Sequence, residues 1–257
     1  MLWNMISDSS AMATAVCSYL RNMRLPKFTL FKDLFRLVYP ACCCCCGELL
    51  VGDEQDICNT CLLSTPGAHD VTSSDNLIEI KFSGRIPIEA GGTLFIFEQG
   101  NTTQTILHNI KYKGNTRLAV HMGMLLGEEL MKSGRFNTID YIIPVPLHRI
   151  RLWTRGYNQS QQICRGIARK LQKPVVTNLL YRKRYTQTQT HKDRQERLEN
   201  MRDVFGVKHP AQLENKHILL VDDIITTGAT MDSCYQTLKT IPGLKISIAS
   251  LASTAKM

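Results

Sequence analysis

Apolar residues recur along this chain at two spacings. In "FTLFKDLFRLVYP", Phe31, Leu34, Phe35 and Val38 fall on one helical face and Pro40 ends the segment, which predicts a short amphipathic helix that docks on a neighbour. Farther on, "TLFIF" reads as a strand, "TQTILHNIKYKG" as a short helix, and Leu118, Met122, Leu125 and Leu126 as one face of a longer helix running to residue 131. "IDYIIPVP" is a strand stopped by Pro144 and Pro146, followed by a polar loop and a helix whose face carries Ile163, Cys164, Ile167, Ala168 and Leu171. A second unit repeats the plan. "HILLV" is its strand, Met231, Cys234, Tyr235 and Leu238 mark its helix, Gly243 closes that helix, and "LKISIASLA" supplies the next strand. Strand, helix and strand at this spacing predict neighbouring parallel strands joined by a right-handed crossover, hence an α/β fold with a parallel sheet flanked by helices.

Two stretches break this pattern. Residues 1–28 show no sustained period and read as a tail without packed structure, or as sequence upstream of the working start codon. "STPGAHDVTSSDN" has the composition of a linker or exposed loop, so a boundary is expected near residue 66: helix and cysteine module over 29–66, α/β domain over 67–257. A chain of 257 residues, 44% hydrophobic and 21% charged, accommodates one larger domain and such an appendage. It has no apolar run of membrane-spanning length, and its N-terminus lacks a secretory pattern, so cytoplasm is the expected location.

Seven of the ten cysteines lie between residues 42 and 61, so they mark one local object and not a disulfide scaffold. "CCCCCG" and "ICNTCL" contain two Cys-x-x-Cys pairs, Cys43 with Cys46 and Cys58 with Cys61, a set that satisfies tetrahedral zinc. Cys42 with Cys45 is an alternative register for the first pair. A rubredoxin-like iron site uses similar turns.

"VDDIITTGAT" places Asp222 and Asp223 at the end of an apolar run and follows them with Thr226, Thr227, Gly228, Ala229 and Thr230 just before a helix. Exposed N–H groups, hydroxyls and the positive helix end can converge there on a phosphate, with Gly228 permitting close approach. The two acids would repel that phosphate, and vicinal sugar hydroxyls suit them better. "LHRIRLWTR" supplies Arg149, Arg151 and Arg155 after the preceding strand, cations of the kind a pyrophosphate needs. "RKRYTQTQTHKDRQERLEN" reads as a polar, basic excursion able to act as a lid. The net charge of +9 favours polyanions without choosing among them.

"LLVDDIITTGAT" resembles the phosphoribosyl pyrophosphate (PRPP) signature of type I phosphoribosyltransferases. With "IPVPLHRIRLWTRGYNQS", "IKYKGNTRLA", "ENMRDVF" and the cysteine module, the chain is similar to the ComF family over roughly residues 30 to 251. The resemblance implies a phosphoribosyltransferase fold with an N-terminal four-cysteine zinc ribbon, and it favours Cys43, Cys46, Cys58 and Cys61 as the ligands. It implies that Asp222, Asp223 and Thr226 to Thr230 bind PRPP. Pro144 to Arg149, including Pro146, Leu147 and His148, would meet the pyrophosphate, with Arg155, Asn158 and Gln159 nearby. Mg²⁺ would accompany PRPP, held largely by ligand oxygens and water. The implied functions are two: transfer of the phosphoribosyl group to an acceptor with release of pyrophosphate, or a non-catalytic PRPP-responsive module acting on single-stranded DNA with a competence helicase or other uptake proteins. The residues supply binding groups for either and single out no catalytic base.

Overall fold

A computed structural model describes residues 41–68, 71–183 and 204–255. The tail expected at 1–28, the helix expected to end at Pro40 and the expected polar excursion from residue 184 lie outside the described residues. The fold below is that of the unit Cys42–Met257.

Four strands form one parallel sheet. They are β1 (Gly91–Phe97), β2 (Tyr141–Pro144), β5 (His217–Ile225) and β6 (Lys245–Thr254), in the order β1-β6-β5-β2. A separate antiparallel pair joins β3 (Leu180–Arg182) to β4 (Phe205–Val207). The expected strand at "HILLV" extends four residues farther, so Asp222 and Asp223 sit within β5 and not in the loop beyond it. Ile224 and Ile225 explain the extension: they continue the apolar pairing, and β5 is hydrogen-bonded on both edges through Val221 and onto β6 alone beyond it.

Alternate residues of β5 serve opposite faces, as the pleat requires. Leu219 and Val221 share a core with Ile106 and Ile110 of α3 (Thr102–Tyr112), Met122 and Leu126 of α4 (Thr116–Ser133), and Ile163 and Ile167 of α6 (Gln159–Leu171). Ile218 and Leu220 share the other with Met231, Cys234 and Leu238 of α7 (Ala229–Leu238) and with Ile78 and Phe82 of α2 (Leu77–Phe82). On the first face α4 and α6 approach backbone to backbone. A Cβ on Gly166 would stand 2.2 Å from the Val120 carbonyl oxygen, so the helices can meet only where no side chain intervenes.

The cysteine module belongs to that first core. Cys43, Ile57 and Cys58 are buried with the α3 and α4 residues, and α1 (Asn59–Leu63) starts with Cys58 as its cap. Beyond it, the start of the polar stretch lies along β1: the Ala68 amide donates to Leu94 O and the Ile96 amide to Pro66 O. The same stretch ends in α2, a helix that the periodicity of the sequence does not reveal. Asn76 caps it by accepting from the amides of Ile78 and Glu79. Among the described residues, no helix is long and apolar enough to cross a membrane.

Candidate ligand site at the sheet rim

Parallel strands deliver their loops to one rim, the carboxyl end, where ligands of such sheets gather. β2 and β5 are neighbours, with Pro144 opposite Val221. The Val145 amide then donates to Val221 O at 2.9 Å, so the loop after β2 and the acid pair leave side by side.

The loop after β5 is held from beneath. Gly228 has φ +81°, and a Cβ there would lie 2.6 Å from the Phe82 ring of α2. Lys81, also on α2 and buried, donates from Nζ to Thr226 O at 2.6 Å, Thr254 O at 2.8 Å and Thr254 Oγ1 at 2.9 Å. Arg85 donates to Thr227 O at 2.9 Å and pairs with Asp232 in the first turn of α7. Burial, with the nearby charge of Arg85, holds the Lys81 ammonium below the usual lysine range. Thr226, Thr227, Ala229 and Thr230 remain exposed.

The acids are already engaged. Asp222 Oδ1 accepts from Ser160 Oγ and from the Asp223 amide, each at 2.9 Å. Burial, then the charge of Asp223, pushes the Asp222 carboxyl up to about 7. Asp223 Oδ2 lies 3.3 Å from Lys111 Nζ of α3.

That lysine joins the acid pair to the basic loop. A cavity of about 380 Å³ is lined by Lys111, Tyr112, Gly114, Arg151, Thr154 and Arg155. Three of the six lining residues are cationic, the composition that suits a pyrophosphate. Arg149 to Arg155, expected as loop, forms a short helix, α5 (Arg149–Arg155), capped by His148, whose Nδ1 accepts from the Ile150 amide at 3.3 Å. No residue of α5 is buried, and Trp153 is 86% exposed. Pro146 and Leu147 lead into it half-buried.

Asn158 and Gln159 play structural parts here. Asn158 caps α6 through the Ser160 amide and donates to Val145 O at 3.0 Å, folding the loop back on the sheet. Gln159 is buried and accepts from Arg155 at 2.9 Å, which steers that guanidinium over the Tyr112 ring, 5.2 Å from its centroid. The sequence alone does not single out Lys81, Arg85, Lys111 and Ser160 as site residues. Lys81 carries one signal, a cation standing with Ile78 and Phe82 in an otherwise apolar helix stripe, three residues after the first of them.

The second candidate centre is the cysteine module. The sulfur atoms of Cys43, Cys46, Cys58 and Cys61 all lie within 4.8 Å of one another, and those of Cys46 and Cys58 are 3.7 Å apart. Tetrahedral sulfurs around zinc at about 2.3 Å stand about 3.8 Å from each other, so the set fits a metal such as zinc. Cys42, the alternative ligand, is exposed and outside the group. The amides of Cys45 and Cys58 point at Cys43 Sγ, and that of Cys61 points at Cys58 Sγ. Burial alone would raise the Cys43 thiol, but backbone N–H donors outweigh it and lower the value to about 6.

Residues 158–256 match the family described as phosphoribosyl transferase domain. DNA utilization protein YhgH of Salmonella typhi is 32% identical over 136 residues, 52% of this chain and 59% of that protein. Competence protein F of Haemophilus influenzae is 33% identical over 114 residues, 44% and 50% respectively. Amidophosphoribosyltransferase of the same organism is 29% identical over 135 residues, 52% of this chain and 24% of that one. The chain thus spans about half the length of the competence and DNA-utilization relatives that it matches.

Proposed function

We propose that this chain, a ComF-family protein carrying a type I phosphoribosyltransferase domain, binds PRPP at the rim of its sheet. Thr226 to Thr230 take the 5′-phosphate, Asp222 and Asp223 the ribose diol, and the cavity of Lys111, Arg151 and Arg155 the pyrophosphate. One observation carries this reading: the Lys111 contact to Asp223 makes the acid pair and the cation-lined cavity one continuous site. Among the described residues the grouped donors that fit an ion are the four cysteines, so Mg²⁺ would arrive on the oxygens of PRPP. When bound, that ion neutralises charge building on the departing pyrophosphate. Zinc is the metal proposed for the cysteines, with metal analysis of the purified chain as its check. Residues 29–66 and 67–257 remain the proposed division between helix-plus-ribbon and transferase-like domain.

The test is calorimetric titration of PRPP with Mg²⁺ into the wild type and an Asp222→Asn/Asp223→Asn variant. Loss of two charged hydrogen-bond acceptors should weaken binding by at least about tenfold, and equal affinity would remove the assignment. Pyrophosphate release in the presence of candidate acceptors separates a transferase from a binding module.

A second reading concerns DNA, and the names of two relatives, DNA utilization protein and Competence protein F, point the same way. Trp153 and Tyr112 are 86% and 66% exposed beside Arg151, Arg155 and Lys111, offering stacking surfaces among cations to a single strand. In this reading the chain serves DNA uptake in the cytoplasm, with PRPP as its signal and uptake proteins, a helicase among them, as partners.

A further inference from the structure

Lys81 is a buried cation that, among the described residues, has no carboxylate partner. Its three hydrogen bonds go to uncharged oxygens, and among the described residues no ion pair includes it. The neighbouring charge is another cation, Arg85. A protein gains little stability by burying an unpaired ammonium, since its desolvation is costly unless a counter-charge offsets it. The position of the two cations suggests where that counter-charge comes from. Both lie on the protein side of the loop that follows β5, and both bind its carbonyls: Lys81 that of Thr226, Arg85 that of Thr227.

In a trans peptide the C=O of one residue and the N–H of the next lie in one plane and point in opposite directions. There is no cis bond in the described backbone. Anchoring Thr226 O inward therefore turns the Thr227 N–H outward, and anchoring Thr227 O inward turns the Gly228 N–H outward. Two successive outward amides at a helix start, with Gly228 at φ +81°, are the elements of an anion-binding nest. The same anchoring removes two carbonyl oxygens that would otherwise repel an anion, and it polarises each peptide so that its N–H becomes a stronger donor.

We infer that Lys81 and Arg85 are positioning residues for the 5′-phosphate: by holding the Thr226 and Thr227 carbonyls from inside, they aim the Thr227 and Gly228 amides at the ligand and supply charge behind them. This rests on the PRPP reading above and adds to it two residues from α2 and its C-terminal turn, outside the stretch that matches the transferase family. Their effect is specific to one end of the ligand. The pyrophosphate cavity is built by other residues, from α3, α5 and the turn after α3, so it should not respond.

Ribose 5-phosphate and pyrophosphate with Mg²⁺, titrated separately by calorimetry, distinguish the two ends. Lys81→Met should lose about tenfold or more in affinity for ribose 5-phosphate and less than about twofold for pyrophosphate. Arg85→Gln, at a half-exposed side chain, should lose about threefold for ribose 5-phosphate with an unchanged Tm, and it decides alone if Lys81→Met does not fold. A merely structural role would lower both affinities together, and that result overturns the inference. A loss in Lys81→Met with none in Arg85→Gln overturns the part assigned to Arg85. A wild type that binds ribose 5-phosphate while neither variant is weakened sinks the inference and leaves the PRPP reading standing. A wild type that binds neither ligand sinks both.

Discussion

Two loops leave the sheet side by side and end up in opposite conditions. The one after β5 rests on α2, with Gly228 against the Phe82 ring and two carbonyls held by Lys81 and Arg85. The one after β2 becomes α5, which buries nothing and is fastened mainly through Asn158 and Gln159 at its far end. In the proposed reading, the difference follows from what each would meet. A phosphate monoester is a compact anion that a fixed ring of amides can match in advance. A pyrophosphate with its cation is larger and is reached by long guanidinium side chains that adjust to it.

A pair of glycines tests this contrast most severely. Gly228 and Gly156 hold nearly the same left-handed backbone, φ +81° and +76°, but a Cβ on Gly228 meets Phe82 and one on Gly156 meets nothing within 4 Å. Gly156→Ala therefore carries only the conformational penalty, about 1 kcal/mol, whereas Gly228→Ala adds overpacking for about 3 kcal/mol in all. Urea unfolding of both variants checks it. Equal costs would mean that the loop after β5 is no more rigidly supported than its neighbour.

Periodicity exposes the strands β2, β5 and β6 and their helices because each is a local pattern, and the acids, hydroxyls and cysteine pairs stand out because their chemistry is concentrated within a few residues. What stays hidden depends on contacts between distant positions. Lys81 and Thr226 are 145 residues apart, Ser160 and Asp222 are 62 apart, and Lys111 of α3 reaches Asp223 of β5 from a distant part of the chain. A helix of six residues such as α2 is too short to show a period, and the polar run before it, whose last residue Asn76 is the cap, reads as loop. The end of β5 is obscured for a related reason: acids look like the close of a strand, yet the ladder to β6 continues through Asp222 to Ile225.

At the junction of the two loops stands Asp222, bound by Ser160 in the first turn of α6. Its carboxyl is raised from 3.8 to about 7 by burial and by Asp223. An acid whose folded value lies above its unfolded one keeps more protons when folded, so its contribution to stability is complete below about pH 4 and is lost as pH rises through about 7. Asp222→Asn should leave stability near wild type at pH 4 and exceed it at pH 8 by more than about 1 kcal/mol, while weakening PRPP binding. Thermal unfolding across that range checks the sign. A variant less stable than wild type at pH 8 would show that the ionised acid is satisfied where it lies, and that the rim is not strained in wait for a ligand.

The gentlest perturbation addresses the bare side of the comparison. Trp153 is 86% exposed, with Ile150 at 67% on the same short helix, so replacing it removes almost no buried area. Trp153→Ala should change unfolding free energy by less than about 0.5 kcal/mol. A large aromatic held in solvent beside Arg151 and Arg155 has little to do in the unliganded protein, but a base stacked on it would contribute about 1 to 3 kcal/mol. The same variant should therefore bind a short single-stranded oligonucleotide about tenfold more weakly, and that affinity should fall with added salt in the wild type as phosphates displace counterions. Oligonucleotide affinity untouched by the substitution would leave α5 with its proposed pyrophosphate role alone and its tryptophan outside any DNA contact. Because stability is expected to stay constant, a loss of binding could come only from the exposed surface.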